Sequence, residues 1–261
     1  MGKLDGKVAI VTGAGKGIGR AIAEAYLEEG ASVTVTASRE QAEIEKLAEC
    51  DRERVLHLTA DVTSPEDCER VVSETVERFG RIDVLVNNAG RGMKYVSESF
   101  LDEPTRFWET GSGVRKMVMD TNVNGPFLMS RAVASLTIAQ GTGSIANVSI
   151  NYDTMKRRGF SPYGPSKAAL ESESIIWAQD LKGTGIRLNV LLPGGATDTG
   201  MIPESTPEEA RSRLLALEVV AGPAVYLASD DSTRLSGQRL VATEWSPQEP
   251  DGRPIHEGLG L

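Results

Sequence analysis

KVAIVTGAGKGIGRAIAEAYLEEG, residues 7–30, decides the fold. It opens on a short β-branched run, passes through a turn holding Gly13, Gly15, Gly17 and Gly19, and continues with apolar residues at helical spacing. A strand that enters a helix through glycines can bring its backbone close to a bound group. Without Cβ atoms in the way, the N–H groups and dipole of the helix N-terminus are open to an anion such as a pyrophosphate. The spacing is G-x-x-x-G-x-G, and its context between strand and helix marks it as a dinucleotide loop.

The rest of the chain repeats this alternation. SVTVTAS (32–38), VLHLTAD (55–61), IDVLVNNAG (82–90), SIANVSI (144–150) and RLNVLLPG (187–194) read as strands, and most are apolar at successive positions, as burial on both faces requires. Helical spacing fills residues 39–50, 64–80, 114–136 and 162–183 between them, and a last helix (222–230) and strand (238–243) complete the series. Ser64 followed by Pro65 is a good helix start, and Gly30, Gly80 and Gly183 are suited to helix stops. Right-handed crossovers in such a series give a parallel, doubly wound sheet of about seven strands with helices on both faces. Ligands are expected at the carboxyl ends of those strands.

Bulk properties narrow the function. The 261 residues suit one large α/β domain, and a net charge of -9 argues against nucleic acid or an anionic membrane surface as partner. Cys50 and Cys68 lie outside any paired pattern, and His57 and His256 are the only histidines, so no metal site, disulfide framework or histidine triad is expected. The opening residues lack a long apolar segment, Gly6 stands where a myristoylation signal wants Ser or Thr, and no window approaches the ~18 apolar residues of a span. A cytoplasmic protein acting on a small molecule is the expectation.

The end of the second strand discriminates between dinucleotides. An acid there would accept from the ribose hydroxyl of NAD, whereas a cation would meet the 2′-phosphate of NADP. Ala37 and Ser38 occupy that place, Arg39 follows, and Lys16 in the glycine loop adds a second cation, so NADP(H) is favoured; Glu40 keeps NAD(H) open. The small residues of Asn87-Asn88-Ala89-Gly90 allow a flat ring to approach the backbone. Tyr163 and Lys167, four apart on a helix, share a face. A phenol beside an ammonium can act as proton donor to a carbonyl oxygen and, in reverse, as base.

TGAGKGIG (with Ile18), Asp61-Val62, NNAG, Asn122 in TNVNG, YGPSK and Pro193-Gly194 resemble, in order and near spacing, the motifs of short-chain dehydrogenases/reductases over roughly residues 4–243. The resemblance implies a Rossmann-type fold, hydride exchange between NAD(P)(H) and a secondary alcohol or carbonyl compound, and a homo-oligomer, tetramer or dimer. It also implies Lys167 contacts to the nicotinamide ribose, Asn122 holding a water, cofactor contacts from Asp61, Val62, Pro193 and Gly194, and a substrate lid at about 195–218. A threonine following Pro-Gly is expected near the carboxamide; its register falls on Asp198, between Thr197 and Thr199, with Thr197 taken as the candidate. One position departs from the pattern. The serine expected thirteen residues before Tyr163 is Ile150, so the oxygen-binding donor is Ser149, Asn151 or absent, with Ser149 favoured. Two rival readings remain, an NAD-linked alcohol dehydrogenase and a weakly active dinucleotide-binding sensor or scaffold. The basic Lys156-Arg157-Arg158 cluster suggests an anionic substrate if it faces the cleft, and residues 244–261 read as an extended tail.

Overall fold

A computed structural model describes residues 2–256; Met1 and the last five residues of the tail lie outside the described residues. The chain runs β1 (Val8–Val11), α1 (Gly17–Glu28), β2 (Ser32–Ala37), α2 (Gln41–Cys50), β3 (Val55–Thr59), α3 (Pro65–Phe79) and β4 (Val84–Asn87). Then follow α4 (Ser112–Met119), a widened π turn (Asp120–Asn124), α5 (Gly125–Gln140), β5 (Gly143–Val148), the short α6 (Tyr152–Met155), α7 (Tyr163–Asp180) and β6 (Ile186–Leu192). The short α8 (Glu208–Arg211), α9 (Ala221–Ala228), β7 (Gln238–Val241) and β8 (Arg253–Pro254) complete it.

The sheet order is β3-β2-β1-β4-β5-β6-β7-β8. Every pairing is parallel except the last. Strand order reverses between β1 and β4, which opens a crevice beyond their carboxyl ends. Pleating divides the core in two: Ala9 and Val11 of β1 and Val84 and Val86 of β4 pack with α1, α2 and α9, whereas Ile10 and Leu85 face α3 and α5. The doubly wound sheet read from the apolar runs is the sheet observed.

Local signals act as their chemistry dictates. Ser64 Oγ accepts from Asp67 N at 3.1 Å, Pro65 occupies the first turn of α3, and Gly80 closes that helix at φ 81°. Two features differ from the sequence reading. The single helix expected over 114–136 is interrupted by the π turn, which carries Asn122. The tail contributes an eighth strand, antiparallel to β7, and buries Ile255 against Val190 and Leu192. Two residues with no alternation of their own give no strand signal, so β8 exists only by pairing with an edge already built. Among the described residues no helix is long and apolar enough to cross a membrane, and no group of three or more His, Cys, Asp or Glu is placed to hold a metal.

Candidate active site

The crevice holds a cavity of about 610 Å³ that runs from the glycine loop to the start of α7. At one end lie Gly13, Lys16, Gly17 and Ile18 of the loop, Ser38 and Arg39 after β2, and Asp61 and Val62 after β3. Asn88, Ala89 and Gly90 form its floor, and Pro193, Gly194 and Thr197 its far wall beside Ser149, Tyr163 and Lys167. Gly15, Gly19 and Asn122 do not line it.

The loop is shaped for close approach. Gly13 has φ 66°, and a Cβ there would lie 2.8 Å from Ala89 Cα. A Cβ on Gly19 would collide with the Asn88 amide, which donates to Thr12 O at 2.9 Å and Gly13 O at 3.0 Å. Asn88 thus staples β4 to the loop, while Asn87 donates to Asn147 Oδ1 of β5 at 2.8 Å. No acid stands in the first turn of α1 and no side chain caps it, which leaves the helix N-terminus open to an anion. The cradle therefore fits a dinucleotide pyrophosphate.

Electrostatics at the ribose end differ in one respect from the sequence reading. Lys16 is paired with Glu40 at 2.8 Å instead of standing as a free second cation. Glu40 is held below the usual carboxylate range by Lys16, with help from Arg91, against the opposing cost of burial, which is the largest single influence on it. A pair this exposed contributes about 0–1 kcal/mol, little enough for a ligand phosphate to compete for the lysine. Ser38 and Arg39 are exposed, and no hydrogen bond or ion pair engages Arg39 among the described residues.

At the other end, Lys167 is buried and donates to Val148 O at 2.7 Å. Burial pushes its pKa down to about 8, an effect that the carboxylate of Glu171, one turn further along α7, partly opposes. Desolvation pushes the Tyr163 phenol up to about 12, so without a bound cation the hydroxyl stays protonated through neutral pH. The Asn122 amide donates to Arg91 O and Ser166 Oγ, each at 2.9 Å, and its oxygen accepts from Arg91 N at 2.7 Å. That side chain is engaged as a brace, so a water would have to use a remaining oxygen lone pair or the main chain of the π turn. Ser166, which the sequence reading did not single out, passes this brace to Tyr163 O at 2.7 Å.

The question at Ile150 takes structural form. β5 ends at Val148, so residues 149–151 are freed from strand alternation, and all three line the cavity. Ser149 is 2 % exposed and its Oγ has no hydrogen-bond partner among the described residues. Asn151, by contrast, donates its amide to Gly194 O at 2.8 Å. Ile150 offers only its carbonyl, which accepts from Arg239 Nη2 at 2.7 Å. Arg239 also pairs with Glu171 at 3.2 Å, both buried, and covers the Tyr152 ring at 3.9 Å. Sequence reading missed Glu171 and Arg239. The only signal was a glutamate at i+4 from Lys167.

Beyond Pro193-Gly194 the chain returns over the cleft. Thr197 and Leu215 form a bridge, Met201 Sδ rests where a Cβ on Gly92 would lie 2.9 Å away, and Thr199 sits against Gly17. Asp198 pairs with Arg211 at 3.1 Å and does not line the cavity, whereas its neighbours Thr197 and Thr199 do.

The buried lysine yields a test of this electrostatic picture. Between pH 8 and 10.5 the unfolded chain holds a proton on Lys167 that the folded chain has released, so this residue's contribution to stability rises with pH across that window. The stability of wild type relative to Lys167→Met is expected to increase from pH 8 to pH 10 in urea titrations. An unchanged difference would show that Lys167 is not desolvated.

A dinucleotide cradle joined to a half-buried tyrosine and a buried lysine defines an NAD(P)-dependent oxidoreductase that acts on CH–OH and C=O groups of small molecules. Residues 7–210 match the family described as short chain dehydrogenase, and the chain belongs to that family. It is 34% identical over 247 residues to a 3-oxoacyl-(acyl-carrier-protein) reductase of Thermotoga maritima, covering 90% of this chain and 96% of that protein. It is similar also to an NAD-dependent glycerol dehydrogenase of Listeria innocua (30% over 243 residues; 90% and 91% of the two chains). A short-chain type dehydrogenase/reductase of Picea abies is 33% identical over 252 residues, 90% of each chain.

Proposed function

We propose that this protein is an NADP(H)-preferring reductase of ketones or aldehydes, working reversibly on the corresponding alcohols. The observation that carries this reading is the unpartnered Ser149 hydroxyl, buried in the same cavity wall as Tyr163 and Lys167. Leaving a buried hydroxyl unsatisfied costs roughly 1–3 kcal/mol, a cost relieved when a substrate oxygen accepts from it. When bound, the nicotinamide supplies or accepts the hydride. Ser149 holds the carbonyl oxygen, Tyr163 gives that oxygen its proton, and the Lys167 ammonium stabilises the phenolate left behind. Glycine-loop amides at the α1 N-terminus bind the pyrophosphate, Asp61 and Val62 flank the adenine side, and Asn88 to Gly90 with Thr197 border the nicotinamide. Asn122 braces the floor, and residues 195–218 close over the substrate through Met201.

The preference for NADP(H) rests on Arg39, exposed and unpaired next to Ser38. A charge-assisted hydrogen bond to the 2′-phosphate is worth about 1.5–3 kcal/mol, which is roughly 10- to 100-fold in binding. Arg39→Ala is expected to raise the Kd for NADPH by that factor and to leave the Kd for NADH within threefold, measured by fluorescence titration. Parallel losses for both cofactors would favour the second reading, an NAD-linked alcohol dehydrogenase. Glu40 and the likeness to the NAD-dependent glycerol dehydrogenase of Listeria innocua support that alternative.

The protein is further proposed to form a homo-oligomer. Phe127 and Ile138 of α5 and Ile176 of α7 are exposed, and Phe127 lies 6.2 Å from Trp177 across the two helices. Light scattering after size exclusion should give a dimer or tetramer that dissociates on Phe127→Glu; a monomer at micromolar concentration would contradict this.

A further inference from the structure

Tyr163 packs on a small apolar cluster of Met93, Phe100 and Phe160, in which the two phenylalanine rings meet edge to face at 5.8 Å. On the Phe160 ring lies the Arg157 guanidinium, 4.9 Å from its centroid. Arg157 and Phe160 line the active-site cavity and also a second recess of about 250 Å³, so the two spaces meet at this pair. That recess has an unusual lining for a chain of net charge -9. Arg106, Lys156, Arg157 and Arg158 all contribute to it, no acidic residue does, and no carboxylate pairs with any of the four side chains among the described residues. The closest tie to an acid is Glu109, which accepts from the main-chain N–H of Arg106 at 2.9 Å. Phe107 and Trp108 stand beside these cations with 72% and 68% of their surface exposed.

Four cations thus share one recess with no carboxylate in its lining, beside Phe107 and Trp108, whose rings meet edge to face at 5.0 Å with the Arg106 guanidinium 5.9 Å from the Trp108 centroid, and the place is one aromatic layer from the proton donor. We propose that the substrate is an elongated carbonyl compound bearing an anionic group, a carboxylate or a phosphate, beyond an apolar segment, and that Arg157 binds this group at the mouth of the recess. The proposal rests on the reductase reading of the cleft. The reacting carbonyl meets Tyr163 and Ser149, the apolar segment covers Phe100 and Phe160, and the anion replaces water at Arg157 with the neighbouring cations adding their field. Arg91 is stacked on Tyr95 at 4.6 Å and lines only the active-site cavity, not the recess. Lys94 is likewise engaged, with Glu204 at 4.0 Å.

Matched pairs of ketones test this: 6-oxoheptanoate and 4-acetylbenzoate, each against its own methyl ester. Turnover with NADPH and binding by calorimetry are measured on wild type and on Arg157→Met, which keeps the apolar stem over Phe160. Wild type is expected to prefer at least one acid over its ester by tenfold or more in kcat/KM, and Arg157→Met to abolish that preference. A preference that fades between 0.05 and 0.5 M NaCl adds support. Equal handling of acid and ester, or equal losses on both in Arg157→Met, would overturn the anion site while leaving the reductase reading intact. So would failure of every compound to bind. Acids that bind in an Arg157-dependent way but are never reduced would instead fault the reductase reading and keep the anion site.

Discussion

Tyr163→Phe is expected to lower kcat by about 10²- to 10⁴-fold, the range for losing a positioned general acid, while the Kd for NADPH stays within a few-fold. The environment of the phenol keeps it neutral: desolvation raises it to about 12, and no protein group accepts from its hydroxyl among the described residues. Phenylalanine keeps the ring against Phe160 and Met93, so packing is preserved and the loss is chemical. Steady-state rates at 340 nm, with cofactor binding measured separately, make the distinction. A kcat within tenfold of wild type would assign proton transfer elsewhere. Loss of NADPH binding as well would mean that Tyr163 had been serving structure.

Ser149→Ala should cost about 10²- to 10³-fold in kcat without lowering stability, because one oxyanion donor is removed, no hydrogen bond among the described residues is broken, and the cost of an unsatisfied buried hydroxyl is relieved. Asn151→Ala is expected to lose less than tenfold, since its amide is already spent on Gly194 O. Ile150→Ser should give no gain, because Ser149 already supplies the donor. A gain on Ile150→Ser together with an indifferent Ser149→Ala would mean that the donor is missing and that Tyr163 works without it.

The contrast between these neighbours shows what a sequence carries and what it leaves to the fold. Strands such as Val84–Asn87 and Ile186–Leu192 are visible because burial on both faces demands consecutive apolar residues. The glycine loop is visible because positive φ and close approach admit little else. Tyr163 and Lys167 share a helical face by spacing alone. Which of residues 149–151 offers a free donor is a different kind of fact. It depends on where β5 stops, and the contacts that fix residues 150 and 151 reach Gly194, 43 residues away, and Arg239, 89 residues away. Lys16 is similar, a free cation by composition and half of an ion pair once Glu40 packs against Gly15. β8 and the Glu171–Arg239 pair are legible only when the sheet already stands.

Transfer of label is the most direct test of the chemistry. With NADPH carrying deuterium on the transferable C4 position and a ketone that the protein reduces, mass spectrometry of the alcohol should show one added mass unit on the carbinol carbon in wild type and only trace product in Tyr163→Phe. Tight NADPH binding with no labelled alcohol from any ketone or aldehyde would contradict the reductase reading and leave a dinucleotide-binding protein without turnover.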